Sequence, residues 1–147
     1  MRTFTVAALA FLVAVPALAH VTVAPQQAPI GASQVYKVRV HNDSKVPTAS
    51  IDLQIPAGVT VESVQPVTGG QFQMNRTGDR VTGIVWKVEI LVGKYVELAF
   101  TVRNPSTGTS LNWNVQETFK DGSTIEYSDK PGAKDKSSIT TLTPVAR

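Results

Sequence analysis

The chain has 147 residues, with 14 Lys and Arg against 11 Asp and Glu, two histidines and no cysteine. A weakly basic balance spread along the chain gives no nucleic-acid footprint, which needs clustered Lys/Arg with interleaved aromatics. The missing cysteines exclude a disulfide-stapled scaffold, a thiolate metal site and a cysteine nucleophile.

Residues 1–19 read as an export signal. Arg2 gives a positive start, Phe4 to Val15 is almost wholly apolar, Pro16 breaks the run, and Ala17-x-Ala19 supplies the small-residue cleavage site. The apolar run is shorter than the ~20 residues that span a bilayer, and no second such run follows. The expectation is therefore an exported protein, periplasmic or secreted, with no membrane anchor and one domain over residues 20–147. Cleavage after Ala19 makes His20 the first residue of the mature chain.

From there the pattern is short alternating runs separated by turn residues. Val21 and Val23 flank Thr22; Tyr36, Val38 and Val40 alternate with Lys37 and Arg39; Ile51, Leu53 and Ile55 alternate with Asp52 and Gln54. Ile84, Trp86, Val88 and Ile90 make a further run, and Val96, Leu98, Phe100 and Val102 another, ending at Asn104-Pro105. Period-two alternation puts one face of each strand in a core. Turn clusters at Pro25–Gly31, Asn42-Asp43-Ser44, Pro56-Ala57-Gly58 and Gly69-Gly70 come at the spacing of a sandwich. The fold class read from this is all-β, a single β-sandwich.

The last hairpin allows a register to be chosen. Leu111, Trp113, Val115, Glu117 and Phe119 share one face, and Lys120-Asp121-Gly122 makes the turn. A two-residue Asp-Gly loop would send Ile125 and Tyr127 to the polar face. A three-residue loop with Gly122 left-handed pairs Phe119 with Ser123 and Val115 with Tyr127, which keeps both on the apolar face. That register also places Glu117 on the inner face, diagonal to Tyr127. A carboxylate there needs a partner: it either serves a site or sits wet or lysine-paired at the sandwich edge.

Few residues can carry chemistry. No Gly-x-Ser-x-Gly elbow is present, and a Ser-His-Asp triad would have only His20 or His41 as its base. His41 ends a strand beside a polar turn and reads as an exposed strand-end residue. His20, once terminal, offers an α-amine and an imidazole that both lose protons at mild pH. Together they can chelate through the amine and Nδ1. Nitrogen donors completed by carboxylate or water suit Cu(II), which tops the affinity order. The alternative is a histidine that merely follows the leader.

His20-Val21-Thr22-Val23-x-Pro25, Gly31, Tyr36-Lys37-Val38, Pro47-Thr48, Ile55-Pro56-x-Gly58-Val59, Ile84-Val85-Trp86, Gly93-Lys94-Tyr95-Val96-Glu97-Leu98, Arg103-Asn104-Pro105 and Glu117-Thr118-Phe119-Lys120-Asp121-Gly122, in that order, resemble the YcnI-like (YncI) copper-binding domain of exported bacterial proteins. The resemblance implies a sandwich of cupredoxin- or immunoglobulin-like appearance holding one Cu(II) by the amine and imidazole of the N-terminal histidine, here His20, with a carboxylate and a nearby tryptophan. It favours Glu97 as the carboxylate, with Glu117 second. Glu97 lies opposite the apolar face of its strand, and Glu117 stands where relatives often carry glutamine. Relatives commonly have tryptophan after the Asp-Gly turn, where this chain has Tyr127. Tyr127 therefore alters the shell behind the ligands, and Trp113 or Trp86 would have to fill that space from another strand.

The leading expectation is an extracytoplasmic Cu(II)-binding protein of copper homeostasis, a metallochaperone that is not an enzyme and passes its ion to another copper-transport protein. Two other classes remain. One is a copper oxidase or oxygenase of histidine-brace type, with His41 as the second imidazole. The other is a metal-free adhesion or interaction sandwich.

Overall fold

The computed structural model describes residues 20–133 and 135–145; the leader read at 1–19 lies outside them. Among the described residues there are strands and no helix, which bears out the all-β reading. Three sheets form. The first has four strands in the order β1 (Val21–Ala24), β3 (Ser33–His41), β8 (Tyr95–Arg103) and β5 (Thr60–Val64). The second has five: β11 (Thr124–Tyr127), β10 (Val115–Phe119), β4 (Thr48–Gln54), β7 (Arg80–Ile90) and β6 (Gln71–Thr77). The third joins β2 (Gln27–Pro29), β12 (Ser138–Thr143) and β9 (Ser110–Trp113).

The alternation seen in the sequence decides what lies between the sheets. Val23, Tyr36, Val38, Val40, Leu98 and Phe100 come from the first sheet and Ile51, Leu53, Ile84 and Trp86 from the second, all buried. Period two puts each of these on the inner face of its strand. The middle is aromatic: Tyr36 lies 4.8 Å from Trp113 and 5.8 Å from Phe100, and Phe100 meets Trp113 edge-on at 5.6 Å. Their polar ends are satisfied. The Tyr36 hydroxyl donates to Asn104 Oδ1 at 2.8 Å and the Trp113 indole N–H to Thr140 Oγ1 at 2.9 Å, as buried tyrosine and tryptophan require.

One expectation needs correction. Residues 111–119 keep their alternation, but they are two strands and not one. The ladder breaks at Asn114, β9 pairing with β12 and β10 with β4. The chain thus changes sheets in mid-run while each side chain keeps its face. Strands β5 and β6 carry no clean alternation because they pack only partly, β6 being exposed almost throughout, whereas β12 alternates in burial but uses Thr140 as well as Leu142 on its inner face.

The hairpin register is the one chosen. Val115 faces Tyr127, the Phe119 amide donates to the Ser123 carbonyl at 2.9 Å, and Gly122 has φ +85°. Asp121 Oδ1 accepts from the Ser123 amide at 2.9 Å and from its hydroxyl at 2.6 Å, and these bonds hold the Asp121 carboxyl below its ordinary range.

Candidate metal centre

The sheet ladders carry His20, His41, Thr48, Ile90 and Tyr95 to one end of the sandwich. The His41 amide donates to the His20 carbonyl at 2.9 Å, and His41 pairs with Tyr95. In the facing sheet Thr48 pairs with both Ile90 and Phe119. The β3–β4 loop connects the two layers, and Asn42 fixes it. Buried Asn42 donates from its side-chain amide to the carbonyls of Val46 (2.9 Å) and Ile90 (3.0 Å) and to Thr48 Oγ1 (3.2 Å). Its main-chain N–H and C=O engage Lys94 and Gly93, and its Oδ1 accepts the Ser44 amide. Asp43 therefore sits between two anchored residues.

His20 is half-exposed, and its Nε2 lies 3.2 Å from Asp43 Oδ2. An imidazole held at Nε2 by a carboxylate keeps Nδ1 for other use. This is the arrangement by which neighbouring carboxylates orient metal-binding histidines.

Glu117 is the unusual member. It is 2 % exposed, on the inner face of β10, and Thr48 donates to its Oε1 at 2.7 Å. Tyr127, on the neighbouring strand, is buried on the same side of the hairpin. Burial dominates and pushes the carboxyl up from its usual range; the Thr48 hydrogen bond opposes this, Asp43 adds to it, and His20 and Tyr127 lower it. Tyr127 is buried too, and both burial and the Glu117 charge push its hydroxyl far above the ordinary tyrosine value. A carboxylate costs several kcal/mol to desolvate, yet this one has the neutral Thr48 hydroxyl as donor and no lysine or arginine within ion-pairing distance among the described residues. The wet or lysine-paired alternative for Glu117 is not what the structure shows.

Glu97 is placed differently. It stands exposed on the outer face of β8, 3.9 Å from Lys37 Nζ and 3.9 Å from Arg39 Nη1. It pairs with Arg39, which in turn pairs with Thr22, so it is two strands and two residues from His20. Trp113 is in the aromatic core, on β9, in a different sheet from Glu117 on β10. Trp86 is likewise core. The space beside Glu117 is filled by Tyr127, as the hairpin register required.

The structure thus brings together His20, Asp43, Thr48, Glu117 and Tyr127, and leaves Glu97 and Trp113 apart from them. Sequence reasoning missed Asp43 and Thr48. Asp43 had a faint signal, an acid two residues after a strand-end histidine, but it read as turn chemistry. Thr48 had none. Among the described residues no three His, Asp or Glu side chains converge as a ready metal cage.

A family model described as "Domain of unknown function (DUF1775)" matches residues 20–146. Over 131 residues the chain is 28 % identical to the copper-binding protein CutI of Bacillus subtilis (strain 168). That alignment takes in 87 % of this chain and 64 % of the other, so the chain spans less than two thirds of that relative's length. Among solved structures, an uncharacterised protein from Nocardia farcinica with an immunoglobulin-like fold superposes with a TM-score of 0.73 at 18 % identity, covering 84 % of this chain and 98 % of that one. A non-cellulosomal cohesin from Archaeoglobus fulgidus gives 0.51 at 16 % identity, covering 86 % and 90 %. At such identities the likeness concerns the fold alone, an immunoglobulin-like sandwich.

Proposed function

The chain belongs to the DUF1775 family, and from that membership and the geometry above we propose that it binds one Cu(II) ion as cargo and passes it to another copper-transport protein. His20 supplies two donors once residues 1–19 are removed, its α-amine and Nδ1. Asp43, at Nε2, orients the ring. Glu117 is the carboxylate that completes the set, in preference to Glu97, whose charge is engaged by Lys37 and Arg39. Tyr127 and Thr48 hold Glu117 from behind.

The observation that carries this reading is the buried Glu117 carboxylate. It keeps the neutral Thr48 hydroxyl as its donor and receives the field of His20, with no lysine or arginine to pair with among the described residues. A divalent cation at the His20 end supplies the counter-charge such a group lacks. The copper-binding name of the Bacillus subtilis relative supports the choice of metal. Nitrogen and oxygen donors with open positions favour Cu(II), and open positions allow a receiving protein to add a ligand before His20 lets go. Holding and delivery ask nothing more of the site, so we assign it binding and not catalysis, in an extracytoplasmic compartment where the leader would be removed.

The test compares two proteins, one beginning at His20 and one with a single additional residue before it. Titrated with Cu(II) and followed by EPR, the first should take up one tetragonal copper tightly and the second should lose it. Equal, weak uptake by both would overturn the reading and leave an adhesion or interaction sandwich. One further observation favours an oxygenase-type brace as a second reading: His41 is the cross-strand neighbour of His20. In that case His41→Ala would remove one coordinated nitrogen from the EPR hyperfine pattern; under the one-histidine reading the pattern stays the same.

A further inference from the structure

The other end of the sandwich holds a cavity of about 540 Å³ that the copper reading does not use. It opens between the two main sheets, where β5 of one and the β6–β7 hairpin of the other diverge. Arg80 begins β7 and Ile90 ends it, so the cavity is roughly 33 Å from the metal end at ~3.3 Å per strand residue.

Its walls are apolar. Val59 and Val81 are buried and Val61 half-buried, and each lines the cavity. Gly58, with φ +83°, turns the chain against Pro105, where even a Cβ would come within 3.1 Å of the proline ring. Arg76, Arg80 and Asp79 all line the mouth, two cations to one anion, so its balance is positive. Their positions follow from the hairpin. A bulge between Asn75 and Arg76 sets Arg76 opposite Val81, at the rim of the inner face. Arg80 is tethered by donating from Nη2 to the Pro56 carbonyl at 3.2 Å.

Among the described residues neither guanidinium has a carboxylate within 4.0 Å, Asp79 included. Elsewhere in the sheets Arg39 is paired with Glu97 and Arg103 with Glu62. Two unpaired guanidiniums over a valine-lined opening repel one another and attract an anion. A planar guanidinium fork matches a carboxylate in a bidentate way, and the cavity is within the ~300–1,000 Å³ range of small-molecule sites.

We infer that this cleft binds a small amphiphile with a single carboxylate, its apolar body against Val59, Val61 and Val81 and its anionic end on Arg76 and Arg80. The site is at the opposite end from the metal centre, and its described lining of valines and arginines suits an apolar chain with an anionic head.

Octanoate, below its micelle-forming concentration, is the probe, titrated without copper into protein beginning at His20 and carrying ¹³C-labelled valine methyls. Saturable shifts should centre on Val59, Val61 and Val81. 1-Octanol, with the same chain and no charge, should bind at least tenfold more weakly. The double variant Arg76→Gln/Arg80→Gln should weaken octanoate at least tenfold and leave 1-octanol unchanged, an outcome that a misfolded variant could not give. Octanoate shifts that do not saturate, that centre elsewhere, or that survive the double substitution would overturn the proposal.

Discussion

Thr48→Val isolates what supports the Glu117 carboxylate. The substitution keeps the shape of a fully buried side chain and removes only its hydroxyl. That hydroxyl makes two bonds, donating to Glu117 Oε1 at 2.7 Å and accepting from Asn42 Nδ2 at 3.2 Å. The second is cheap to lose, because the Asn42 amide keeps the Val46 and Ile90 carbonyls for its two protons. The first is a bond to a buried carboxylate, and bonds to charged groups contribute ~1.5–3 kcal/mol. The expected cost is therefore about 2–3 kcal/mol at pH 8, read from urea denaturation of the metal-free protein. The pH dependence follows from linkage. The folded Glu117 carboxyl is raised by burial, so folding takes up a proton between the unfolded and folded values, and stability falls as pH rises through that window. Losing the Thr48 donor raises the folded value further, so the variant falls more steeply than the parent. At pH 4, where glutamate is largely protonated in either state, the penalty should shrink to about 1 kcal/mol, the worth of a neutral hydrogen bond. A penalty equal at both pH values, or larger at pH 4, would refute an ionised, Thr48-supported Glu117.

Three further outcomes follow. Glu97→Gln should leave Cu(II) affinity within about twofold and cost no more than ~0.5 kcal/mol, as exposed ion pairs do, whereas Glu117→Gln should weaken Cu(II) at least tenfold; competitive titration against a chelator measures both. Tyr36→Phe strands a buried acceptor on Asn104, whose amide meanwhile holds the Pro29 carbonyl at 2.8 Å, and thermal unfolding should register a loss of about 1–2 kcal/mol. Gly122→Ala meets no atom within 4 Å, so its cost comes from φ +85° alone; about 1 kcal/mol is expected in denaturant, and a larger loss would mean the turn is more crowded than it looks.

Much of this was legible in the sequence wherever a physical constraint repeats every second residue. The core faces of β3, β4, β7 and β8 follow from alternation. The hairpin register follows from one requirement, that Ile125 and Tyr127 face inward, and that register alone forecast that Glu117 and Tyr127 would meet. What did not show was anything set by layers folding over one another. Asn114 looks like any outward polar residue, yet the chain leaves one sheet for another there. Thr48 and Glu117 are 69 positions apart and share a hydrogen bond only because β4 and β10 are neighbours. Glu97 drew attention by its motif, but no pattern in one strand reveals that Lys37 and Arg39 wait opposite it. The metal-end cluster is a product of topology, and topology is the part of a β-sandwich that period-two reading cannot supply.

The strand β12 lends the molecule an order of assembly. Ser138 Oγ accepts the Val23 amide at 3.0 Å, Thr140 Oγ1 donates to the Pro25 carbonyl at 2.8 Å, and the Thr141 amide donates to the Gln26 carbonyl at 2.8 Å. These bonds reach back 115 positions from Ser138 to Val23. The stretch from Val23 to Gln26, among the earliest of the domain to be synthesised, thus takes half of its support from one of the last strands. A nascent chain stopped short of Ser138 has β3 alone to hold β1, and contacts of such long separation form late and slowly. The stretch from Val23 to Gln26 therefore gains its second support only when the back of the chain has arrived.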